Sequence, residues 1–142
     1  MLGNQISDFQ TKASSIKVVS SRDIIRGIVL HIDSYGNATT NIDKLTFERI
    51  GMGRDFEIYY GKETEKITKI KSKYSDVDEG ERLAIFSTEN WLEIAINKGK
   101  ASNLLGINNY DIIRIEFKWL NIVLKTLTKI LLLYIIKNFI YL

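Results

Sequence analysis

The 142-residue chain has no cysteine, no proline and a single histidine, His31. Without cysteine there is no disulfide, no thiolate metal site and no cysteine nucleophile. With one histidine, any Ser-His-Asp catalytic set would have to run through His31, which sits inside an apolar strand-like run and reads as structural. A secretory signal is also lacking: "MLGNQISDFQTKASS" has neither a basic start nor an apolar stretch of about seven residues or more, so a cytoplasmic protein is expected. Dinucleotide and phosphate motifs are missing too. No alternating strand–helix–strand pattern occurs, no G-x-G-x-x-G follows a strand, and "GMG" at 51–53 is too little for a phosphate loop. Neither a metal nor a resident cofactor is implied.

Charge excludes a further class. The net charge is +3 and the isoelectric point about 9.0. Four lysines (Lys118, Lys125, Lys129 and Lys137) and no acid fall in residues 118–142; removing those four takes +3 to −1 for residues 1–117. The body is close to neutral and carries no basic stripe with interleaved aromatics, which argues against nucleic acid as a partner.

What is present is a series of short apolar and alternating runs. Residues 1–23 are polar, weakly periodic and linker-like. "IIRGIVLHID" then reads as a buried strand, "SYGN" as a turn in which Gly36 takes positive φ, and "ATTNI" as the return strand of a hairpin over 27–42. "DKLTFERIG" predicts a short helix capped by Asp43 and stopped at Gly51. "DFEIYYG", "EKITKIKSKY", "RLAIFS", "WLEIAIN" and "DIIRIEF" read as further strands, and "GKASNLLG" as a short helix closed by Gly106. Many short strands with only brief helices predict a mainly β domain over 24–117, an antiparallel barrel-like fold.

Residues 118–142 form a hydrophobic, lysine-containing helical tail. Its longest uninterrupted apolar run is "ILLLYII", well short of the roughly 18–20 residues that span a bilayer. An amphipathic helix lying on a membrane surface or docking on a partner is one reading. The other is out-of-frame translation, because Lys, Ile, Asn, Phe, Tyr and Leu are what A- and T-rich DNA encodes in any frame.

The densest polar cluster, "HIDSYGNATTNI" at 31–42, is the first of several segments that together resemble a known family. "GIVLHIDSYGNATTNI", then "STENWLEIAINKGKASNLLG", then "DIIRIEF" follow in order the motifs of the C-terminal domain of the S-adenosyl-L-methionine (SAM) hydroxide adenosyltransferases, relatives of fluorinase and chlorinase. "MLGNQISDF" resembles the linker joining that family's two domains. The resemblance implies a trimeric enzyme that converts SAM and water to adenosine and L-methionine. Its active sites would lie between the N-terminal α/β domain of one subunit and the C-terminal domain of its neighbour. No residues here resemble that N-terminal domain, so the chain is expected to be the substrate-binding half, inactive alone, with the N-terminal half as a partner if it is separately encoded. SAM is the substrate; no separate cofactor is implied.

Carried across by motif, the resemblance gives Asp33 the methionine amino group, a charge-assisted contact. Tyr35, where the family has Phe, would stack on the adenine. Asn37 would read the adenine edge with its amide donor and acceptor. Thr39 falls near a methionine contact, and Tyr74 resembles the aromatic covering the other adenine face. Ser87 and Thr88 stand where a hydroxyl bonds the methionine carboxylate, with Glu89 next to them at the variable place. Each has a plainer alternative: Asp33 and Asn37 as turn residues, Tyr35 and Tyr74 as core aromatics. Ser87 replaces the family's Asn, and Asn90 and Tyr110 replace glycines; Asn90 suits left-handed geometry better than most residues.

Overall fold

A computed structural model describes residues 17–61 and 65–140, with residues 120–122 described by backbone alone. Most of the linker-like segment, including "MLGNQISDF", lies outside the described residues. Its end is not loose: Val19–Ser20 forms a short strand, β1, against the start of the next.

The remaining strands are β2 (Ile24–Ile32), β3 (Ala38–Asp43), β4 (Phe56–Tyr60), β5 (Lys66–Ile67), β6 (Ile70–Lys71), β7 (Arg82–Phe86), β8 (Trp91–Ile96) and β9 (Ile112–Phe117). Helix α1 (Lys44–Gly51) and helix α2 (Ala101–Leu105) interrupt them, and helix α3 (Leu120–Ile140) follows. The strands hydrogen-bond in the order β5-β4-β9-β2-β3-β8-β7-β6, and β5 comes back against β7, so the sheet nearly closes on itself. The expected mainly β, barrel-like domain with short helices is the fold found. All pairings are antiparallel except β6 with β7, which is parallel.

Alternation builds the core. Ile113, Ile115 and Phe117 of β9 face inward while Arg114 and Glu116 lie between them, and Ile25, Val29, Ile58, Leu92 and Ile94 complete the interior. β2 departs from strict alternation. Its register against β3 shifts between Val29 and His31, and the bulge leaves Val29 and Leu30 both buried. His31 is exposed, so the single histidine is a surface residue of the strand and not a packed one. β8 is buried on both faces because the segment 72–81 folds over its outer side, where the Asn97 side-chain amide donates to the Val77 carbonyl.

Helix α1 closes one end of the barrel. Asp43 caps it by accepting from the Thr46 N–H at 2.8 Å, and Met52 ends it at φ 49°. Phe47 packs edge-on against Phe56 and Phe86 and lies 5.4 Å from Phe117. Arg54 ties the same end together. It donates to the carbonyls of Arg22, Ile50 and Gly51 and to the Asp23 carboxylate, with its guanidinium 4.4 Å from the Trp119 ring. Trp119 also donates to Asp23. α3 leaves from this point, anchored by Lys125 to Asp55 at 3.1 Å. Its apolar residues are not gathered on one side: the consecutive run 130–136 covers every face of the helix and is exposed throughout. The helical tail is therefore present, but it lacks the two-faced pattern that an amphipathic surface helix needs. Among the described residues no helix is long and apolar enough to cross a membrane.

Candidate functional site

The β2–β3 turn builds the rim of a cleft at the barrel end opposite α1. Asp33 organises the turn: one carboxylate oxygen accepts the backbone N–H groups of Tyr35 and Asn37, both at 2.9 Å, and the other accepts the Asn37 amide at 3.2 Å. Gly36, at φ 82°, carries the chain round; its carbonyl accepts the Ser102 N–H at 2.8 Å. A Cβ on Gly36 would stand 2.8 Å from the Lys100 Cβ, so only glycine lets the turn seat on the segment that starts α2.

Between these walls lies an open cleft of about 790 Å³ lined by Asp33, Ser34, Tyr35, Asn37, Tyr74, Ile96 and Lys98 to Lys100. Its chemistry is mixed: one carboxylate, two tyrosine rings, a buried amide and two lysines. Tyr35 is 75% exposed and so is no core residue; its ring stands at the mouth. Asn37 is buried and spends one amide N–H on Asp33, and among the described residues its amide oxygen accepts no hydrogen bond. The plainer reading of Asp33 as a turn cap is also realised, and a carboxylate with four lone-pair sites has capacity left beyond it.

Tyr74 reaches the cleft from a short 3-10 turn, Tyr74–Asp76, whose backbone is fixed by the Asp76 carboxylate accepting from the Ser72 and Lys73 N–H groups. Its hydroxyl donates to Glu93 at 2.5 Å. Burial and the neighbouring Glu93 and Asp33 charges push the Tyr74 hydroxyl well above its ordinary pKa. Glu93, in the middle of β8, is 7% exposed. Burial raises its pKa, the Tyr74 hydrogen bond opposes that, and the Asp33 and Glu89 charges raise it further. Glu93 lies within a motif that carries the family resemblance, which implies no role for it. A lone acid between apolar β8 residues was the available signal.

The other expected site residues lie elsewhere. Thr39 sits in β3 opposite Glu93 of β8. Ser87, Thr88 and Glu89 form the β7–β8 turn, where the Asn90 carbonyl accepts the Lys44 N–H at the start of α1. They are not on the cleft lining; along β8 from Trp91 to Ile96 the two places are roughly 16 Å apart. Asn90 adopts φ 65° and Tyr110 φ 70°, the left-handed geometry that glycine would supply at both turns. Hydrogen bonds from its own backbone and from the Thr88 and Ser87 side chains lower the Glu89 pKa. Among the described residues no group of three or more His, Asp or Glu is placed to hold a metal ion.

Comparison with known proteins adds to this geometry. A family model described as the SAM hydroxide adenosyltransferase C-terminal domain matches residues 27–114. Among solved structures, an uncharacterized conserved protein from Thermotoga maritima is 30% identical with a TM-score of 0.60; the match covers 70% of this chain and 38% of that one. A conserved hypothetical protein from Thermus thermophilus, 24% identical with a TM-score of 0.52, shares the fold over 63% of this chain and 34% of its own. This chain therefore spans little more than a third of each. No curated protein matches it. The matched segment runs from within β2 into β9 and includes every residue that lines the cleft, and on it the chain belongs to the SAM hydroxide adenosyltransferase family, as a bearer of its C-terminal domain.

Proposed function

We propose that the cleft binds the adenosyl end of SAM, and that the chain acts as the substrate-binding half of a SAM-cleaving enzyme. One observation carries this reading: Asp33, Tyr35 and Asn37 of the β2–β3 turn share one cleft with the ring of Tyr74, about 40 residues away in sequence. Two aromatic faces suit a planar base. The free amide oxygen of Asn37 suits an exocyclic amino group, and the spare capacity of Asp33 suits an ammonium. Ser87, Thr88 and Glu89 draw no support from the cleft.

In the complete enzyme, water or hydroxide attacks the ribose C5′ and L-methionine leaves from the sulfonium. A sulfonium is already a good leaving group, so the protein's task is to align the ends and exclude bulk water. This chain supplies grip rather than water activation; an α/β half, from a trimeric neighbour or a separate chain, supplies the rest in the cytoplasm. Calorimetric titration of the full chain with SAM and with adenosine, with and without such a half, tests the reading. Binding without turnover by the lone chain is expected. Absence of binding in both settings, or hydrolysis by the lone chain, overturns it.

A second reading has its own observation. The exposed apolar surface of α3 suits a docking element, and deletion of residues 118–142 separates the two. Under the adenosyl reading the deletion leaves binding intact; under the docking reading it abolishes assembly or membrane contact in a chain that never binds adenosine.

A further inference from the structure

Two acids are buried among the described residues, Glu57 and Glu93, and they are treated differently. Glu57 meets two lysines, whereas Glu93 meets no cation among the described residues and has the Tyr74 hydroxyl as its hydrogen-bond donor. A buried carboxyl facing the charges of Asp33 and Glu89 costs stability that an apolar β8 residue would not. What it does geometrically is specific. The turn that carries Tyr74 is held by the Asp76 carboxylate, which accepts from the Ser72 and Lys73 N–H groups, and the far end of the side chain is held by Glu93, so the direction in which the ring leaves the backbone is set. An exposed aromatic without the second anchor would be free to turn.

We propose that Glu93 is a positioning residue for the cleft: by accepting the Tyr74 hydroxyl it fixes the ring against which an adenine base stacks. The proposal rests on the adenosyl reading of the cleft. Ordering a rotatable side chain on binding carries an entropic cost, which a ring fixed beforehand avoids.

The test is titration of the full chain with adenosine, paired with thermal melting, for wild type, Tyr74→Phe, Glu93→Leu, Glu93→Gln and the double variant Tyr74→Phe/Glu93→Leu. Tyr74→Phe and Glu93→Leu are each expected to weaken binding about fivefold, and the double variant no more than either alone, because one bond is lost in all three. Glu93→Gln still accepts the hydroxyl and is expected to bind within about twofold of wild type. The double variant removes a buried carboxyl with its partner and is expected to melt no lower than wild type, so affinity and stability part company. Losses that multiply in the double variant, or that track melting temperature, overturn the proposal. A ligand-free measurement keeps the two readings apart: three-bond NMR couplings about Cα–Cβ are expected to report one Tyr74 rotamer in wild type and averaging among rotamers in Glu93→Leu. An unchanged single rotamer in Glu93→Leu overturns the positioning role whatever adenosine does. Averaging in a protein that never binds adenosine upholds the positioned ring and sinks the adenosyl reading.

Discussion

The two ends of β2 handle charge in opposite ways. Near its start, every buried ionic group is matched: Arg54 meets four oxygen acceptors, and Glu57 accepts from Lys66 and Lys118 at 2.6 Å each and from the Tyr59 hydroxyl. Near its finish, the buried Glu93 has the Tyr74 hydroxyl as its donor and feels the Asp33 charge from the cleft, with that of Glu89 added from the far turn. The matched end holds the fold closed, where barrel, α1 and the root of α3 meet. The unmatched end is poorly compensated as it stands and has a cleft beside it. A cationic ligand would relieve that imbalance, whereas the paired end has nothing to gain from one.

Breaking the matched end is expected to give the largest effect. Arg54→Met takes the cation from Asp23 and the guanidinium donors from the Arg22, Ile50 and Gly51 carbonyls, and a loss of about 3 kcal/mol or more is expected in urea denaturation. A cost below about 1 kcal/mol would show that water satisfies those groups and that the contrast is overstated.

Acid separates the ends next. The two lysines and Tyr59 lower the Glu57 pKa from 4.5 to about 2. A carboxyl with a depressed folded value contributes stability above its unfolded pKa and loses it as pH falls, here between about 4.5 and about 2. Glu57→Gln is expected to flatten that acid limb and to cost about 1 kcal/mol at neutral pH, since both lysines are half in water. An unchanged acid limb would exclude Glu57 as its source.

Glu93 has the opposite sign. Its raised folded pKa means that the folded state keeps the proton to higher pH than the unfolded chain does. Its penalty is absent at pH below 4.5 and grows as pH rises above that. Glu93→Gln is expected to raise the melting temperature at pH 7 by a few degrees, with the gain vanishing in acid. A drop at pH 7 would mean that the cleft end is better compensated than its neighbours indicate.

The smallest effect is expected at Tyr110, which holds φ 70° in the turn before β9 while 60% exposed. Tyr110→Gly is expected to stabilise by about 1 kcal/mol and to leave adenosine binding untouched. Destabilisation would show that the ring earns its strained backbone through a contact.

Legibility in the sequence divided along the same line. The α1 cap at Asp43, the α2 stop at Gly106, the Gly36 turn and the left-handed Asn90 were all readable, because each is decided by chemistry within a few residues. The strand runs were readable from period, but the parallel β6–β7 pair and the return of β5 against β7 were not, since two-residue strands carry no pattern. Motif order pointed to Asp33, Tyr35, Asn37 and Tyr74, and barrel closure brings them to one cleft. It also pointed to Ser87, Thr88 and Glu89, which the same closure carries to the α1 end. The Tyr74–Glu93 bond, 19 residues apart across an outer loop, leaves no local trace at all.

The seat of the β2–β3 turn on the segment before α2 has a consequence for how the protein recognises anything. With backbone bonded to backbone at Gly36 and no room for even a methyl group where the turn meets Lys100, the turn and the segment before α2 cannot part or slide without breaking that seat. Under the adenosyl reading, selectivity at this mouth follows the lock rather than the closing hand: a molecule whose outline is slightly wrong is turned away at the door, and what fits enters a shape that was waiting before it arrived.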